Sequence, residues 1–328
     1  MKLVILDGHA LNPGDLSWDA FKEFGEITLY DRTSPDKVVE RIGDAELILT
    51  NKVTITDEIM SACKNLKYIG VLATGYNIID INAAKKHGIA VTNIPSYSTR
   101  AVAQAVFAFI LEFANGVHSH SESVFNGGWC ASPDFCYWNH PLTELSEKTL
   151  GIFGFGDIGQ NAAEIASAFN MKVVACTRSE AKIEKYNLNC ADASKKVKSV
   201  SFDELLSVSD FISLHAPLTD KTKGVISSSA LEKVKPSAVL INTARGPLVD
   251  EEAVCAALKE GRLAGYAADV LSVEPMRKDN PLLTAPNCVI TPHVAWAAKE
   301  TRQRLMGIAV ENVRSFLAGS TQNLIPGL

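Results

Sequence analysis

The chain has little of what a metal centre or a disulfide framework requires. Its seven cysteines form no C-x-x-C pair and are scattered over positions 63, 130, 136, 176, 190, 255 and 288. This pattern favours neither a zinc site nor paired disulfides, so no metal is expected. Scattered free thiols are typical of a reducing compartment, and we therefore expect a cytoplasmic protein.

Positive charge is also scarce. The 32 lysines and arginines are outnumbered by 37 aspartates and glutamates, which gives a formal net charge of −5. Because phosphate backbones are bound by basic surfaces, this balance argues against nucleic acid as the main partner.

Long apolar runs are lacking as well. The longest, "AVAQAVFAFILEFA", is interrupted by Gln104 and Glu112, and it is shorter than the roughly 20 residues that a membrane span needs. The amino-terminal "MKLVILDGH" has too short an apolar core for a signal peptide, and Asp7 interrupts it. No membrane partner is expected.

What the chain does contain is an alternation of strand-like and helix-like segments. The first set has the strands "KLVILD", "ITLYD", "AELILT", "LKYIGVLA" and "IAVTNI", and the helices between them have Ser34, Thr56 and Asp80 as N-cap candidates. The second set begins near Thr149 with "TLGIFGF", "KVVACT", "DFISLHAP", "AVLINTA", "LAGYAADV" and "NCVITP". Such alternation predicts two α/β domains, each a doubly wound parallel sheet.

Between the two sets lie a long apolar helix, at about 98–115, and a loop rich in aromatic residues, "NGGWCASPDFCYWNHP". A loop of this composition is expected to pack against something. After His293 a last helix is predicted to end at Gly319.

A glycine-rich loop opens the second set. Gly154, Gly156 and Gly159 form G-x-G-x-x-G directly after an apolar strand and at the start of a helix, and another strand follows. This order indicates a dinucleotide site, in which the second glycine admits the pyrophosphate and the helix N-terminus meets its charge. The other residues of the loop that we assign to cofactor binding are Phe155, Asp157 and Ile158. The alternative is a purely structural glycine turn.

The end of the next strand bears on which dinucleotide is bound. Thr177 stands eighteen residues after Gly159, where a site that prefers NAD carries an acidic residue. Arg178 could pair with a 2′-phosphate, helped by the hydroxyls of Thr177 and Ser179, and NADP(H) is therefore favoured. NAD(H) remains the alternative cofactor, because Arg178 could instead stack on the adenine and Glu180 could turn towards the ribose.

Three polar residues follow strands of the second set: Arg245, Glu274 and His293. Each alone has an ordinary structural explanation. Together they fit carbonyl reduction, in which a histidine gives a proton to the developing alkoxide, a carboxylate orients the histidine, and an arginine holds a substrate carboxylate.

The sequence resembles the D-isomer-specific 2-hydroxyacid dehydrogenase family. The resemblance rests on the glycine loop, "NTARGPLVDEEA", Asp269 followed by "EP", and "TPHVAW", and it covers essentially the whole chain. The early "LATGYNIIDINAAKKHGIAVTNIPSYSTRAVAQ" fits the family's substrate-domain pattern. "DFCYW" and "HVAWA" are most similar to its glycerate dehydrogenase, or hydroxypyruvate reductase, members.

The resemblance implies a role for each matching residue. His293 would be the acid/base, Glu274 its partner and Arg245 the carboxylate anchor. The family pattern also assigns the nicotinamide end to Asp269 and the Ala244 backbone, the adenosine side to His215, Ala216 and Pro217, and the substrate carboxylate to Thr74 and Gly75. Thr243 is assigned to cofactor binding as well. Trp296 and Trp138 would line the pocket of a small substrate, and packing in the protein core is the alternative for both.

The resemblance further implies a Rossmann dinucleotide-binding domain at 98–297, inserted into a flavodoxin-like substrate-binding domain at 1–97 and 298–328. It also implies a homodimer through the cofactor domain. The expected reaction is hydride transfer between NAD(P)H and a small 2-oxoacid, most simply hydroxypyruvate or glyoxylate to D-glycerate or glycolate. Phosphoglycerate and D-lactate dehydrogenases are alternatives within the family, and a dinucleotide-sensing corepressor is one of another class.

Overall fold

The computed structural model describes residues 1–327, and the chain divides into two compact units. We call Met1–Ser98, together with the segment from Trp296 onward, the first unit, and Thr99–Ala295 the second unit. The chain thus leaves the first unit, builds the second and returns.

The first unit is built on a five-stranded parallel sheet. The strands are β1 (Lys2–Ile5), β2 (Glu26–Leu29), β3 (Leu47–Thr50), β4 (Tyr68–Val71) and β5 (Ala90–Thr92). The helices that join them are α1 (Val38–Ile42), α2 (Asp57–Ala62) and α3 (Ile81–His87), with 3₁₀-helices at Asp19–Phe24 and Pro35–Lys37. The strand order β2-β1-β3-β4-β5 is that of flavodoxin-like sheets.

All three predicted N-cap residues stand at the N-cap positions of helices, and two of them make the capping bond. The side chain of Thr56 accepts from the Ile59 N–H, and that of Asp80 accepts from the Ala83 N–H at 2.9 Å. Ser34 stands at the N-cap position of the 3₁₀-helix Pro35–Lys37, as predicted, but its side chain makes no cap bond to the backbone.

The second unit is built on a seven-stranded parallel sheet. Its strands are β6 (Thr149–Phe153), β7 (Lys172–Cys176), β8 (Lys198–Ser199), β9 (Phe211–Leu214), β10 (Val239–Asn242), β11 (Gly265–Ala268) and β12 (Cys288–Ile290). The order β12-β11-β10-β9-β6-β7-β8 is the Rossmann order with one added strand, and it reverses between β6 and β9. The sequence prediction missed β8, since a two-residue strand carries no pattern of its own.

The helices of the second unit include the long apolar one that the sequence predicted. They are α4 (Thr99–Asn115), α5 (Val117–Phe125), α6 (Gly128–Ala131), α7 (Asp157–Ala168), α8 (Glu180–Leu188), α9 (Phe202–Val208), α10 (Ser228–Leu231) and α11 (Glu251–Lys259). Short 3₁₀-helices lie at Ala193–Lys195, Gly246–Leu248 and Pro281–Thr284. Within residues 1–327 no single helix is long and apolar enough to cross a membrane; α4 and α5 meet that test only as a pair bent by 53°.

The last helix, α12 (Lys299–Leu317), belongs to the first unit. Its buried Leu305 and Val313 pack in the same core as Leu3 and Tyr68, and Gly319 follows with a left-handed φ of +76°, as predicted for the helix end.

The central strands of both sheets are buried on both faces. In the first, Leu3 and Ile5 enter one core and Val4 the other; in the second, Leu150 and Ile212 likewise face opposite cores. Strands enclosed in this way are continuous apolar runs in the sequence, and this made them predictable. The two parallel sheets with their connecting helices confirm the α/β prediction. In open parallel sheets, ligands bind at the carboxyl ends of the strands.

Candidate active site

The glycine loop between β6 and α7 has two packed glycines and one open one. Gly154 has a φ of +98°, and a Cβ there would lie 2.6 Å from the Ala216 backbone nitrogen. A Cβ on Gly159 would lie 2.5 Å from the Gly154 carbonyl oxygen, whereas one on Gly156 would meet nothing within 4 Å. Side chains at positions 154 and 159 would therefore clash with the backbone, whereas the space beside Gly156 is open and lets a ligand approach the backbone.

Helix α7 begins directly at this opening. Its N-cap residue is Gly156, which has no side chain to cap the helix, so the N–H groups of the first turn and the positive end of the helix dipole suit an anion. Phe155 is buried and packs edge-on against Tyr186 at 5.4 Å, so only its backbone is available to a ligand; Ile158 is half-buried and Asp157 exposed. The loop fits a pyrophosphate.

The end of β7 carries no acidic side chain. Thr177 is half-buried, and its hydroxyl accepts from the Ser179 N–H at 3.3 Å, while Arg178 is exposed. Glu180 opens α8, where its carboxylate accepts from the Ser199 hydroxyl at 3.4 Å. The nearest acid along the chain is thus turned towards β8.

His215, Ala216 and Pro217 follow β9. The His215 N–H donates to the Phe153 carbonyl at 2.7 Å, which ties this segment to the strand before the glycine loop. The imidazole Nε2 lies 2.9 Å from the Ser213 hydroxyl, and burial lowers the pKa of His215 to about 4. Because the imidazole of His215 is neutral at physiological pH, it is suited to line the adenosine part of the cofactor site and not to donate a proton.

The turn after β10 is organised by Asn242, which the sequence analysis overlooked. This fully buried side chain accepts from the Ala244 N–H at 3.1 Å and donates to the Arg245 carbonyl at 2.9 Å. Its only signal in the sequence is a polar residue at the end of an apolar strand. Within residues 1–327, the buried hydroxyl of Thr243 is one of two buried side-chain polar atoms that lack a hydrogen-bond partner, and a cofactor amide at this end of the loop would suit it.

Arg245 is exposed at the same turn. One guanidinium nitrogen donates to the Ala244 carbonyl at 2.6 Å, which holds the side chain against the loop. A guanidinium has five N–H donors, so this contact leaves most of the fork able to bind a carboxylate.

His293 and Glu274 form a close pair. The imidazole Nδ1 lies 2.7 Å from Glu274 Oε2, and Glu274 Oε1 accepts from the Leu271 N–H at 3.0 Å. Both side chains are about one-third exposed. The carboxylate is therefore fixed by the backbone and in turn fixes the ring, with the proton on Nδ1.

Asp269 braces the segment that carries His293. Its carboxylate is buried and accepts from the Thr291 hydroxyl at 2.6 Å, the Val294 N–H at 2.8 Å and the Ala295 N–H at 2.9 Å. His293 itself has a left-handed φ of +56°, a conformation that a residue with a Cβ adopts only where its surroundings impose it.

The remaining predicted site residues are divided between the units. Thr74 and Gly75 follow β4 in the first unit, where the Thr74 hydroxyl donates to the Ile94 carbonyl at 2.8 Å. Trp296 is also in the first unit and packs edge-on against Tyr97, with ring centroids 6.4 Å apart. Trp138 is in the second unit, and 64% of it is exposed.

Comparison with known proteins identifies the family of the chain. The family model described as the NAD binding domain of D-isomer specific 2-hydroxyacid dehydrogenases matches residues 107–295. A hydroxypyruvate reductase of Blautia hydrogenotrophica is 45% identical over 328 residues, which is 99% of each chain. A glycerate dehydrogenase of Methylorubrum extorquens is 38% identical over 327 residues, 99% of this chain and 98% of its own.

A solved structure has the same fold. An acyclic imino acid reductase in complex with NADPH and D-Arg superposes with a TM-score of 0.84 and 32% identity, over 99% of this chain and all of its own. The resemblance seen in the sequence is confirmed: the chain belongs to the D-isomer-specific 2-hydroxyacid dehydrogenase family and is an oxidoreductase that uses a nicotinamide dinucleotide.

Proposed function

We propose that the protein reduces hydroxypyruvate to D-glycerate and glyoxylate to glycolate. The observation that carries the proposal is the His293–Glu274 pair at 2.7 Å, in the same unit as an exposed Arg245 and a glycine loop open to a pyrophosphate. These are the proton donor, the carboxylate anchor and the cofactor cradle that reduction of a 2-oxoacid requires. The names of the relatives from Blautia and Methylorubrum support the same substrates.

When bound, the reduced nicotinamide supplies a hydride to the carbonyl carbon. The proton for the carbonyl oxygen comes from His293 Nε2, because Nδ1 is engaged by Glu274. Glu274 keeps the ring in that orientation before and after the proton leaves, since its other oxygen is held by the Leu271 N–H. Asp269 acts on the same proton transfer by holding the turn on which His293 stands.

Arg245 binds the substrate carboxylate and places the carbonyl next to His293. As the family resemblance implies, the amides of Thr74 and Gly75 are assigned to the substrate carboxylate, and with them the first unit is the proposed substrate-binding domain and the second unit the proposed dinucleotide-binding domain. Trp296, fixed by its packing on Tyr97, restricts the substrate to small molecules.

NADP(H) is the proposed cofactor, with NAD(H) as the alternative. An exposed Arg178 beside the Thr177 and Ser179 hydroxyls suits a 2′-phosphate, and the Ser199 contact holds Glu180 towards β8. A carboxylate at the end of β7 would repel that phosphate, and none is present there.

A second copy of the chain is the proposed partner. Four large side chains on α5, α6 and the following loop are more than half exposed: Phe125, Trp129, Phe135 and Trp138. Tyr137 and His140 of the aromatic loop contact Ser123 and His120 of α5, but the four large side chains stay exposed within residues 1–327. Monomers rarely expose so many large apolar groups on one short segment. We place the homodimer in the cytoplasm because all seven cysteines are free thiols.

A matrix of initial rates tests the proposal. Hydroxypyruvate, glyoxylate, pyruvate and 3-phosphohydroxypyruvate are each reduced with NADPH and with NADH, and chiral chromatography identifies the product. The highest kcat/KM is expected for hydroxypyruvate with NADPH, and the product should be D-glycerate. A preference for pyruvate or for the phosphorylated substrate would move the protein to the lactate or phosphoglycerate alternative. Absence of turnover with all four would leave the corepressor role.

A further inference from the structure

Three asparagines in the first unit connect the C-terminal segment to the loop that carries Thr74. We call Asn93, Asn312 and Asn323 the asparagine relay. Asn312 lies on α12 and is fully buried. Its Nδ2 donates to the Asn93 carbonyl at 2.9 Å, and its Oδ1 accepts from Asn323 Nδ2 at 2.7 Å. Because both ends of this buried amide are used, turning it would leave two buried groups unsatisfied, and its orientation is fixed.

Asn93 stands at the centre of the relay, just after β5. Its N–H donates to the Asn323 carbonyl at 3.2 Å, and its own carbonyl is held by Asn312. With the backbone held on both sides, its side chain donates from Nδ2 to the Thr74 carbonyl at 2.7 Å.

That last bond sets the direction of a neighbouring N–H. The Thr74 carbonyl and the Gly75 N–H belong to one planar trans peptide and therefore point in opposite directions. Fixing the oxygen on Asn93 aims the Gly75 N–H away from Asn93. Two further bonds hold the same loop: the Thr74 hydroxyl to the Ile94 carbonyl at 2.8 Å, and the Ile94 N–H to the Ala73 carbonyl at 3.0 Å.

The C-terminal end of the relay is anchored in the core. Ile325 is 1% exposed, and its N–H donates to the Val91 carbonyl at 2.9 Å. Leu324 forms an antiparallel bridge with Thr92. Asn323 is therefore held beside β5 independently of any ligand.

We propose that Asn93, supported by Asn312 and Asn323, is a positioning residue for substrate binding: it aims the Gly75 N–H at the substrate carboxylate. The proposal rests on the proposed function, which assigns Thr74 and Gly75 to that carboxylate. Asn93 itself does not touch the substrate.

Asn93→Ala removes only the side-chain bond to Thr74 and leaves both backbone bonds of Asn93 in place. Loss of one hydrogen bond should raise KM for hydroxypyruvate about threefold to tenfold. The kcat and the Kd for NADPH should stay within about twofold, because the lost contact serves ground state and transition state alike. Amide hydrogen exchange of residues 73–76 should become faster. Asn93→Asp, which places an acceptor against the Thr74 carbonyl, should raise KM at least as much.

The matched control is Asn65→Ala. Asn65 also donates to a backbone carbonyl, that of Asp44 at 3.4 Å, but it precedes β4, whereas Thr74 follows the carboxyl end of that strand. This variant should leave KM and the exchange of residues 73–76 unchanged.

Each other outcome overturns the inference. Faster exchange with an unchanged KM would show that Asn93 holds a loop that the substrate does not contact. Unchanged exchange and KM would show that the loop does not need Asn93, and equal losses in the Asn65 control would indicate general weakening. Failure of the proposed function is a separate result, since it would appear as absence of turnover in the unaltered protein.

Discussion

Alanine substitutions in the glycine loop should separate glycines needed for stability from the glycine needed for cofactor binding. Gly154→Ala would place a Cβ 2.6 Å from the Ala216 nitrogen at a φ of +98°. Overpacking against backbone costs about 1–3 kcal/mol and the left-handed conformation about 1–2 kcal/mol, so the second unit should lose about 2–5 kcal/mol. For a unit of this size that corresponds to a fall in Tm of roughly 5–15 °C.

Gly156→Ala should behave in the opposite way. Its Cβ would meet nothing within 4 Å, and its φ of −84° is one that alanine adopts readily, so Tm should change by less than about 2 °C. The methyl group would nevertheless stand where the pyrophosphate approaches the backbone. Displacing a charge-assisted contact of about 1.5–3 kcal/mol should raise the Kd for NADPH about tenfold to hundredfold.

Gly261→Ala is the control for backbone conformation alone, because it has a φ of +69° with nothing within 4 Å of a Cβ. Its fall in Tm should be smaller than that of Gly154→Ala, and its NADPH affinity unchanged. Calorimetry and fluorescence titration with NADPH measure both quantities. Wild-type affinity in the Gly156 variant would refute the assignment of the open space to the pyrophosphate, and wild-type Tm in the Gly154 variant would refute the packing argument.

Four further predictions concern single side chains. His293→Ala should lower kcat at least about a hundredfold and leave the Kd for NADPH within about twofold; unchanged turnover would remove His293 from proton transfer. Arg245→Ala should raise KM for hydroxypyruvate about tenfold to hundredfold, and a wild-type KM in steady-state assays would exclude it as the anchor. Arg178→Ala should lower kcat/KM for NADPH at least about tenfold and that for NADH less than about threefold, whereas equal changes would make Arg178 irrelevant to cofactor choice. His215 has a pKa of about 4 against an ordinary 6.5, so its neutral form stabilises the fold above pH 6.5 and that contribution is lost as the pH falls towards 4. Between pH 7 and 5 the wild type should therefore lose about 1–2 kcal/mol more unfolding free energy in urea than His215→Gln, and equal losses would show that His215 titrates normally in the fold.

Much of the architecture was readable from local pattern. Buried parallel strands are continuous apolar runs, so β6 and β10 were legible without knowledge of their neighbours. The glycine loop was equally legible, because the φ of Gly154 and the close packing of Gly159 can be met only by glycine. The family followed from such motifs in order along the chain.

The contacts that give these motifs their geometry could not be read in the same way. Ser34, Thr56 and Asp80 are predictable as N-cap residues because a cap acts within one helical turn, but the sequence does not show that Ser34 makes no capping bond. Asn242 and Asn312 look like ordinary polar residues until the structure shows what their buried amides bond.

The sequence by itself determined the strand segments, the glycine loop and the residue types of the site, since each depends on a pattern within a few residues. Tertiary structure alone decided how Glu274 meets His293, how Asp269 holds the His293 turn, and how Asn93 fixes Thr74. These bonds join residues about 19 to 25 positions apart, each on a different loop. Loops of a parallel sheet come together only because the strands pair in register, and the pairing order is a property of the whole sheet.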